Sequence, residues 1–435
     1  MRPRTWVLVL AAVFALLQLA NVTGRDTPDT KNYLSYALSL GGGSKREVAA
    51  ATIDYVCASE AATARRDQSV HVVRFHRPDP TGQVMSECRE REWRAVEPRL
   101  AAGQTGGHTV PYMPERFMRI FEARPGYPVF LAPFVMAFGA TWGLWAAGVV
   151  IASAGGVLAF LILRTLSVPV PLALAGQALY YVLPCGTTAM RPMTEGMLMA
   201  LTLAAVWGCA LVVRAGRTRP GSTRAGSTRA GLALVAGSLL ALFTVKHSQA
   251  LFLGLCLAAA GALIALRRHR RGRPPGRDAL SLAAVGLAGV VGTLALARLL
   301  HHPTMTDSLQ DLLTDHFARP DRERPWAEFR QMQGNFWVEW LRRQALEPLF
   351  VAALAAGAWG ALRRGRAVGG FLVAAAFTGI LTQAGHPDIN IWGGRLIVLA
   401  WLLPVVGVPL LLGPVVRERV TLPAQGHAER ARAVG

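Results

Sequence analysis

The sequence predicts an all-α polytopic membrane protein with about ten transmembrane helices and a long first extracytoplasmic loop. About ten apolar stretches contain no Asp, Glu, Lys or Arg in their interiors, and at ~16–22 residues each is long enough to cross the hydrocarbon layer. No period-two alternation runs through these stretches, so they are predicted to be helices, which satisfy their own backbone hydrogen bonds. Hydrophobic residues make up 52% of the 435 positions and charged residues only 17%, and the charges fall almost wholly between the stretches.

The formal net charge of +20 does not indicate a nucleic-acid partner, because the basic residues are spread over short loops between apolar stretches. Five arginines lie in residues 214–231 and six in residues 267–277. Short arginine-rich loops mark the cytoplasmic side of a membrane protein and contact its anionic lipids. The pattern therefore predicts a multi-pass protein of the cell (plasma) membrane whose partner is the lipid bilayer.

The N-terminal part divides into a first transmembrane helix (residues 1–22) and an extracytoplasmic loop with interfacial helices (residues 23–125, the first long loop). A basic start before the apolar run also fits a cleaved signal peptide, and that alternative stays open. Cys57 and Cys88 both fall in the first long loop, where the oxidising side of the membrane permits a disulfide. A bridge between them would staple a loop that has few apolar residues.

Residues 126–300 are predicted to form the transmembrane core. A short apolar segment at 127–138 is expected to be interfacial or re-entrant, and residues 214–231, with the duplicated pentamer GSTRA, to be a flexible cytoplasmic linker. Residues 232–245 and 248–266 are expected to form a hairpin with an outward tip. The remaining predicted spans of this core are residues 142–163, 168–189, 195–213 and 279–300.

The C-terminal part begins with a second extracytoplasmic loop (residues 301–345, the second long loop), in which acidic and basic residues nearly balance. Residues 346–413 are predicted to hold the C-terminal transmembrane helices, and residues 414–435 a basic cytoplasmic tail. In this predicted topology every short arginine-rich loop lies on one side of the membrane.

Two carboxylates directly follow the first predicted span. From Asp29 a helix is expected, because Tyr33 and later apolar residues recur with helical spacing and three glycines then end it. Asp29 could simply cap that helix. Alternatively Asp29 or Asp26 is a catalytic base at the boundary of water and lipid, where partial desolvation raises a carboxylate pKa.

Further polar residues cluster at the outer ends of later spans. Arg124 precedes a proline-rich entry into the membrane and fits either phosphate binding or an interfacial arginine that snorkels. Arg191 and Glu195 open a span; Glu195 would complement the positive end of its helix or orient a sugar hydroxyl. Both belong to the predicted substrate-binding set.

Lys246 and Arg395 are cations that the predicted topology places on the outer side, where positive charge is disfavoured. His247 directly follows Lys246. A lipid-linked phosphate would compensate a cation on the outer side, and so would a bound lipid headgroup. His386 with Asp388 supplies only two metal ligands, which is too few to predict a metal site. A divalent metal remains possible, and no cofactor is predicted.

Four of these segments, in this order, resemble the GT-C superfamily of integral-membrane glycosyltransferases, which includes protein O-mannosyltransferases and the aminoarabinose transferase of lipid A. The shared motifs are an acidic residue after span one, an Arg-Pro-x-Tyr-Pro entry, a Pro-x-Thr-Glu span start, and a late Arg opening a Leu/Pro-rich span. The residues that carry them are Asp29, Tyr33 and Ala37; Arg124, Pro125, Tyr127 and Pro128; Pro192, Thr194 and Glu195; and Arg395 and Pro404.

The resemblance implies an inverting transfer of a sugar from a polyprenyl-phosphate donor to an acceptor hydroxyl on a glycan, lipid or protein at the extracytoplasmic face. Asp29 or Asp26 would be the base, and Tyr33, Arg124, Arg191, Glu195, Lys246, His247 and Arg395 would bind substrate. The first long loop departs from the family in its length and its two cysteines. A lipid or solute transporter (flippase) and a non-catalytic assembly protein are the competing classes.

Overall fold

The computed structural model describes residues 3–216, 222–346, 348–389 and 395–416, and within these ranges it contains helices and no β-strand. We number the helices in chain order. They are α1 (Pro3–Gln18), α2 (Thr30–Ser39), α3 (Lys45–Ser69), α4 (Thr81–Ala101), α5 (Glu115–Glu122), α6 (Gly126–Thr165), α7 (Val170–Val182), α8 (Pro184–Ala189), α9 (Thr194–Ala215), α10 (Ser222–Arg270), α11 (Arg277–Leu299), α12 (Met305–Leu313), α13 (Pro325–Leu346), α14 (Leu349–Arg364), α15 (Arg366–Gly385) and α16 (Leu396–Val416).

Among the described residues, seven helices are long and apolar enough to cross a membrane. The number becomes eight if α13 and α14, whose axes differ by 91°, form one broken span. The all-helical, polytopic fold class is therefore confirmed, whereas the count of about ten spans stays a prediction. The seven helices are α1 with its final turn, α6, α9, α10, α11, α15 and α16.

Helix α10 reverses direction at Lys246, where the backbone leaves helical geometry (φ −163°, ψ 97°). Two glycines three residues apart on α11 show the reversal. A Cβ on Gly286 would lie 2.7 Å from the Gly254 carbonyl oxygen, and one on Gly289 would lie 2.6 Å from Leu239 Cδ1. Residues 239 and 254 can both contact the same turn of α11 only if α10 folds back between them. The predicted hairpin is thus present.

Helix α6 is interrupted at Gly139, whose φ of 72° favours a residue without a Cβ. The chain doubles back there, because a Cβ on Gly143 would lie 2.6 Å from the Phe134 carbonyl oxygen. Residues 126–138 therefore form a segment separate from the span that follows, as the sequence predicts. Arg124 lies immediately before this segment.

Two predicted elements differ from the structure. The span expected at residues 168–189 is divided into α7 and α8, because Pro184 keeps Leu183 out of helical geometry (ψ 170°). The linker expected at 214–231 is helical from Ser222 onward, where α10 begins, and residues 217–221 lie outside the described ranges. The expectation of a flexible linker is therefore wrong for its second half.

The first long loop is a folded layer of four helices, α2 to α5. Helix α3 begins at a capping box in which Ser44 and Glu47 bond each other's backbone N–H groups. Helices α3 and α4 pack side by side around a small apolar core, and a Cys57–Cys88 disulfide, which the sequence left open, joins them with a Cα–Cα distance of 5.5 Å. This layer holds Asp29 at the start of α2.

Close helix contacts fix α1 and α16 to the bundle. Gly360 of α14 and Gly407 of α16 touch backbone to backbone, a packing that only small residues allow. At the other end, the fully buried Gln177 of α7 donates from Nε2 to the Val7 carbonyl oxygen of α1 at 3.0 Å. Helices α1 and α16 are thereby held in register with the spans between them.

Candidate functional site

Five charged residues from distant parts of the chain meet at one end of the bundle, and we call them the charged cluster: Asp29, Arg124, Glu195, Lys246 and Arg395. Each sits where a helix begins or breaks. Asp29 precedes α2, Arg124 precedes α6, and Glu195 lies in the first turn of α9. Lys246 is the break in α10, and Arg395 precedes α16. All five were predicted as site residues from the sequence.

Arg395 joins the two carboxylates of the cluster. Its Nη2 donates to Asp29 Oδ2, and its Nε donates to Glu195 Oε1 at 3.5 Å. The side chains are largely withdrawn from solvent, with exposed fractions of 21% for Arg395, 19% for Asp29 and 4% for Glu195. Asp29 occupies the N-cap position of α2, yet its side chain makes no capping hydrogen bond. Its carboxylate is therefore committed to the cluster and not to the helix end.

The surroundings of Asp29 make its carboxylate a better base than an exposed aspartate. Burial raises the pKa of Asp29, and the positive charge of Arg395 opposes that rise without cancelling it. Glu195 acts in the same direction as burial, and the charges of Arg124 and Lys246 act against it. A base is most useful when its pKa approaches the working pH, so the direction of this shift suits proton abstraction.

Tyr33, one helical turn beyond Asp29 on α2, and Arg124 form one wall of the cluster. Tyr33 is fully buried, and Arg124 Nη1 donates to its hydroxyl at 3.4 Å. The ring of Tyr33 lies edge-on to Phe121 and Tyr127 at 5.2 and 5.3 Å. Arg124 Nε is buried and has no hydrogen-bond partner among the described residues. The guanidinium thus retains a donor that a ligand could use.

Lys246 carries a second cation without an ion pair. No carboxylate of the described residues lies within 4.0 Å of its ammonium group, although its charge acts on both Asp29 and Glu195. A narrow crevice beside it, lined by Glu195, Thr382 and apolar residues of α9 and α16, is too small to hold a water molecule. Three cations and two carboxylates give the fully ionised cluster a formal charge of +1. The arrangement favours an anion over a cation as the ligand.

Besides Tyr33, which lines the charged cluster, three of the predicted site residues lie outside it. Asp26 accepts a hydrogen bond from Ser59 Oγ on α3, and so faces the first long loop. Arg191 is exposed. The ring of His247 lies 5.5 Å from that of His302, and its Nδ1 is buried without a partner in the part of the chain that the structure describes. The structure therefore separates Asp26 from Asp29 in space.

The second long loop packs against α5 near the site, which the sequence did not indicate. Arg116 of α5 donates to Asp307 at 2.9 Å and to Asp321 at 2.8 Å, and its guanidinium lies 4.4 Å from the ring centre of Phe317. The hydrogen bond that His316 makes to the carboxylate of Asp311 raises the pKa of His316, and Asp29 lies near enough to contribute. No local motif marks these residues, since the pairs join segments about 190 or more positions apart.

His386 borders the cluster from the end of α15. Burial lowers its pKa to about 4, and the charges of Lys246 and Arg395 add to the effect. It is therefore neutral at physiological pH and donates or accepts as an imidazole. Within the described ranges no group of three or more His, Cys, Asp or Glu side chains could hold a metal ion.

Comparison with known proteins gives no family: no protein-family description, no curated protein and no solved structure matches this chain.

Proposed function

We propose that this protein is an integral-membrane glycosyltransferase of the GT-C type, which moves a sugar from a polyprenyl-phosphate donor to an acceptor hydroxyl at the extracytoplasmic face of the plasma membrane. The observation that carries the proposal is the charged cluster itself. In this cluster the carboxylate of Asp29 makes no capping hydrogen bond to its helix. Two cations of the cluster, Arg124 and Lys246, lack carboxylate partners among the described residues. Basic and anion-binding groups thus face one another at one end of the bundle.

The reaction needs one base and a place for a departing phosphate. The acceptor oxygen attacks the anomeric carbon while the bond from that carbon to the phosphate oxygen breaks, and the electron pair of that bond leaves with the phosphate. The hydroxyl proton passes to Asp29. Attack from the side opposite the leaving group inverts the configuration. A phosphate monoester is a stable leaving group, so positive charge helps it more than a general acid does.

The cations divide between the phosphate and the base. Lys246 and Arg124 bind the phosphate, with Tyr33 orienting Arg124. Arg395 is shared: without substrate it pairs with Asp29 and Glu195, and a phosphate competes with Asp29 for its guanidinium. Loss of that pair frees the carboxylate to accept a proton. Glu195 keeps Arg395 in place meanwhile.

The direct test is transfer in proteoliposomes that contain the purified chain. A panel of labelled polyprenyl-phosphate hexoses and pentoses is supplied, and release of polyprenyl phosphate is followed together with the product's anomeric configuration. We expect one donor to be consumed with inversion, and the Asp26→Asn, Asp29→Asn double variant to be inactive while it remains folded. Undiminished turnover in that folded double variant would refute the assignment of the base.

One observation favours a lipid transporter as the second candidate. Residues 126–138 fold back against the following part of α6 at Gly139, and such re-entrant or broken helices line transport sites. Movement of a polyprenyl-phosphate sugar across the vesicle bilayer, without release of polyprenyl phosphate, would favour this candidate over transfer.

A further inference from the structure

The loop between α3 and α4 exposes an unusual concentration of apolar side chains. Val70, Val72, Val73 and Phe75 are 78, 85, 64 and 62% exposed, and they fall within six consecutive residues. The tip of a helical hairpin in water is normally polar, and adjoining exposed apolar residues indicate a contact surface. This loop is outside the charged cluster and has no part in the proposed transfer reaction.

The position of the loop relative to α1 identifies what it contacts. Arg66, near the end of α3, donates from Nη1 to Asn21 Oδ1, where the apolar run of α1 ends. The backbone N–H of Gly24 donates to Ser59 Oγ at 2.9 Å. The last turns of α3 therefore lie at the level where α1 leaves the bilayer. Val70 is four residues beyond Arg66, only about 6 Å further along a helix.

The charge of the loop suits the same contact. Arg74 and Arg77 lie among the apolar residues, and no Asp or Glu occurs from residue 70 to residue 78. An open groove of about 430 Å³ at this end of the hairpin has an apolar floor that includes Ala61 and Met85, with Arg65 at its edge. Apolar anchors combined with arginines are typical of segments that lie in the headgroup region of an anionic membrane.

We propose that residues 70–77 insert Val70, Val72, Val73 and Phe75 into the leaflet from which α1 emerges, while Arg74 and Arg77 contact the phosphates of anionic lipids. The contact holds the α3–α4 hairpin down on the bilayer. Because Ser59 of α3 also bonds Asp26, three residues before Asp29, the hairpin's attachment sets the height of the charged cluster above the membrane. This proposal stands whether or not the chain transfers sugars.

The test places an environment-sensitive NBD fluorophore on the full chain in vesicles. Val72→Cys reports on the loop, and Glu90→Cys on the exposed face of α4 is the matched control. The unsubstituted protein, treated identically, gives the background from Cys185, Cys209 and Cys256. We expect the label at 72 to be blue-shifted and quenched by lipid-borne doxyl groups, and the label at 90 to be quenched by aqueous iodide only.

A second comparison tests the arginines. In vesicles with phosphatidylglycerol, Arg74→Gln, Arg77→Gln should reduce doxyl quenching of the label at 72 toward the level found in purely zwitterionic vesicles. Both positions are in an exposed loop, so the fold should survive. Iodide quenching of the label at 72 equal to that at 90 would overturn the insertion and point to a soluble partner. Quenching unchanged by the arginine substitutions would overturn the headgroup contact.

Discussion

Replacement of Asp29 by Asn is the sharpest perturbation of the charged cluster, because it keeps the shape of the side chain and removes its basicity. No helix cap is lost, since the Asp29 side chain makes no capping hydrogen bond. Loss of a general base slows catalysis by roughly 10²- to 10⁴-fold. At about 1.4 kcal/mol per factor of ten, the barrier rises by about 3–5.5 kcal/mol. We expect the initial rate of polyprenyl-phosphate release to fall by that factor.

Asp26→Asn is the matched control for this substitution. Asp26 has the same chemistry three residues earlier, but it bonds Ser59 and faces the first long loop. We expect its rate to stay within a few-fold of the wild type, and the two variants should have similar melting temperatures. A wild-type rate for Asp29→Asn combined with an inactive Asp26→Asn would refute the reasoning.

The pH dependence gives an independent check on Asp29. Burial raises its pKa, so the protonated, inactive form persists to higher pH than for an ordinary aspartate near 3.9. Activity should therefore be lost as pH falls through this raised pKa. Arg395→Gln removes the main opposing charge and should move the acid limb to still higher pH. The limb should be absent from the residual activity of Asp29→Asn, and its persistence there would assign it to another group.

Three further changes test the cluster, the first long loop and the spans. Lys246→Met should weaken binding of polyprenyl phosphate by about 10- to 100-fold, as expected for one lost charged hydrogen bond, whereas Lys246→Arg retains most of it; equal affinities for wild type and Lys246→Met would contradict the phosphate role. Replacing Cys57 and Cys88 by Ser should destabilise the first long loop by about 3–4 kcal/mol, seen as faster proteolysis of that loop; unchanged proteolysis would show the bridge to be dispensable. Gly407→Val should lower the unfolding free energy by about 3 kcal/mol or prevent folding, and Gly413→Val on the same helix should be neutral; equal melting temperatures would contradict the packing.

Much of the fold could be predicted because charge in a membrane segment is costly. The uncharged stretches located the apolar helices, and Lys246 in the middle of a long apolar region indicated a turn there, which the structure has. The break at Leu183 had a local signal in Pro184, but hydropathy alone joined the two sides into one span. The helical start of α10 had no such signal, because glycine and serine in GSTRA suggest a flexible chain.

The site could be predicted in part for the same reason. The predicted topology places the cations Lys246 and Arg395 on the extracytoplasmic side of the membrane, where positive charge is disfavoured, and both lie in the charged cluster. The sequence could not choose between Asp26 and Asp29, because the two carboxylates are only three positions apart. The neighbours that each side chain contacts depend on the course of the backbone around the intervening proline. Nor could it show that Arg116 joins the second long loop to α5, because that contact depends on tertiary packing of exposed loops.

The distance along the chain between Asp29 and Arg395 has a consequence for biosynthesis. Their ion pair joins positions 366 residues apart, and among the described residues Arg395 is the ion-pair partner of both Asp29 and Glu195. During translation these two acidic side chains are without their ion-pair partner until Arg395 has left the ribosome. A chain truncated before α16 should therefore be recognised by membrane quality control, so a stop codon before Arg395 would deplete the protein and not merely inactivate it.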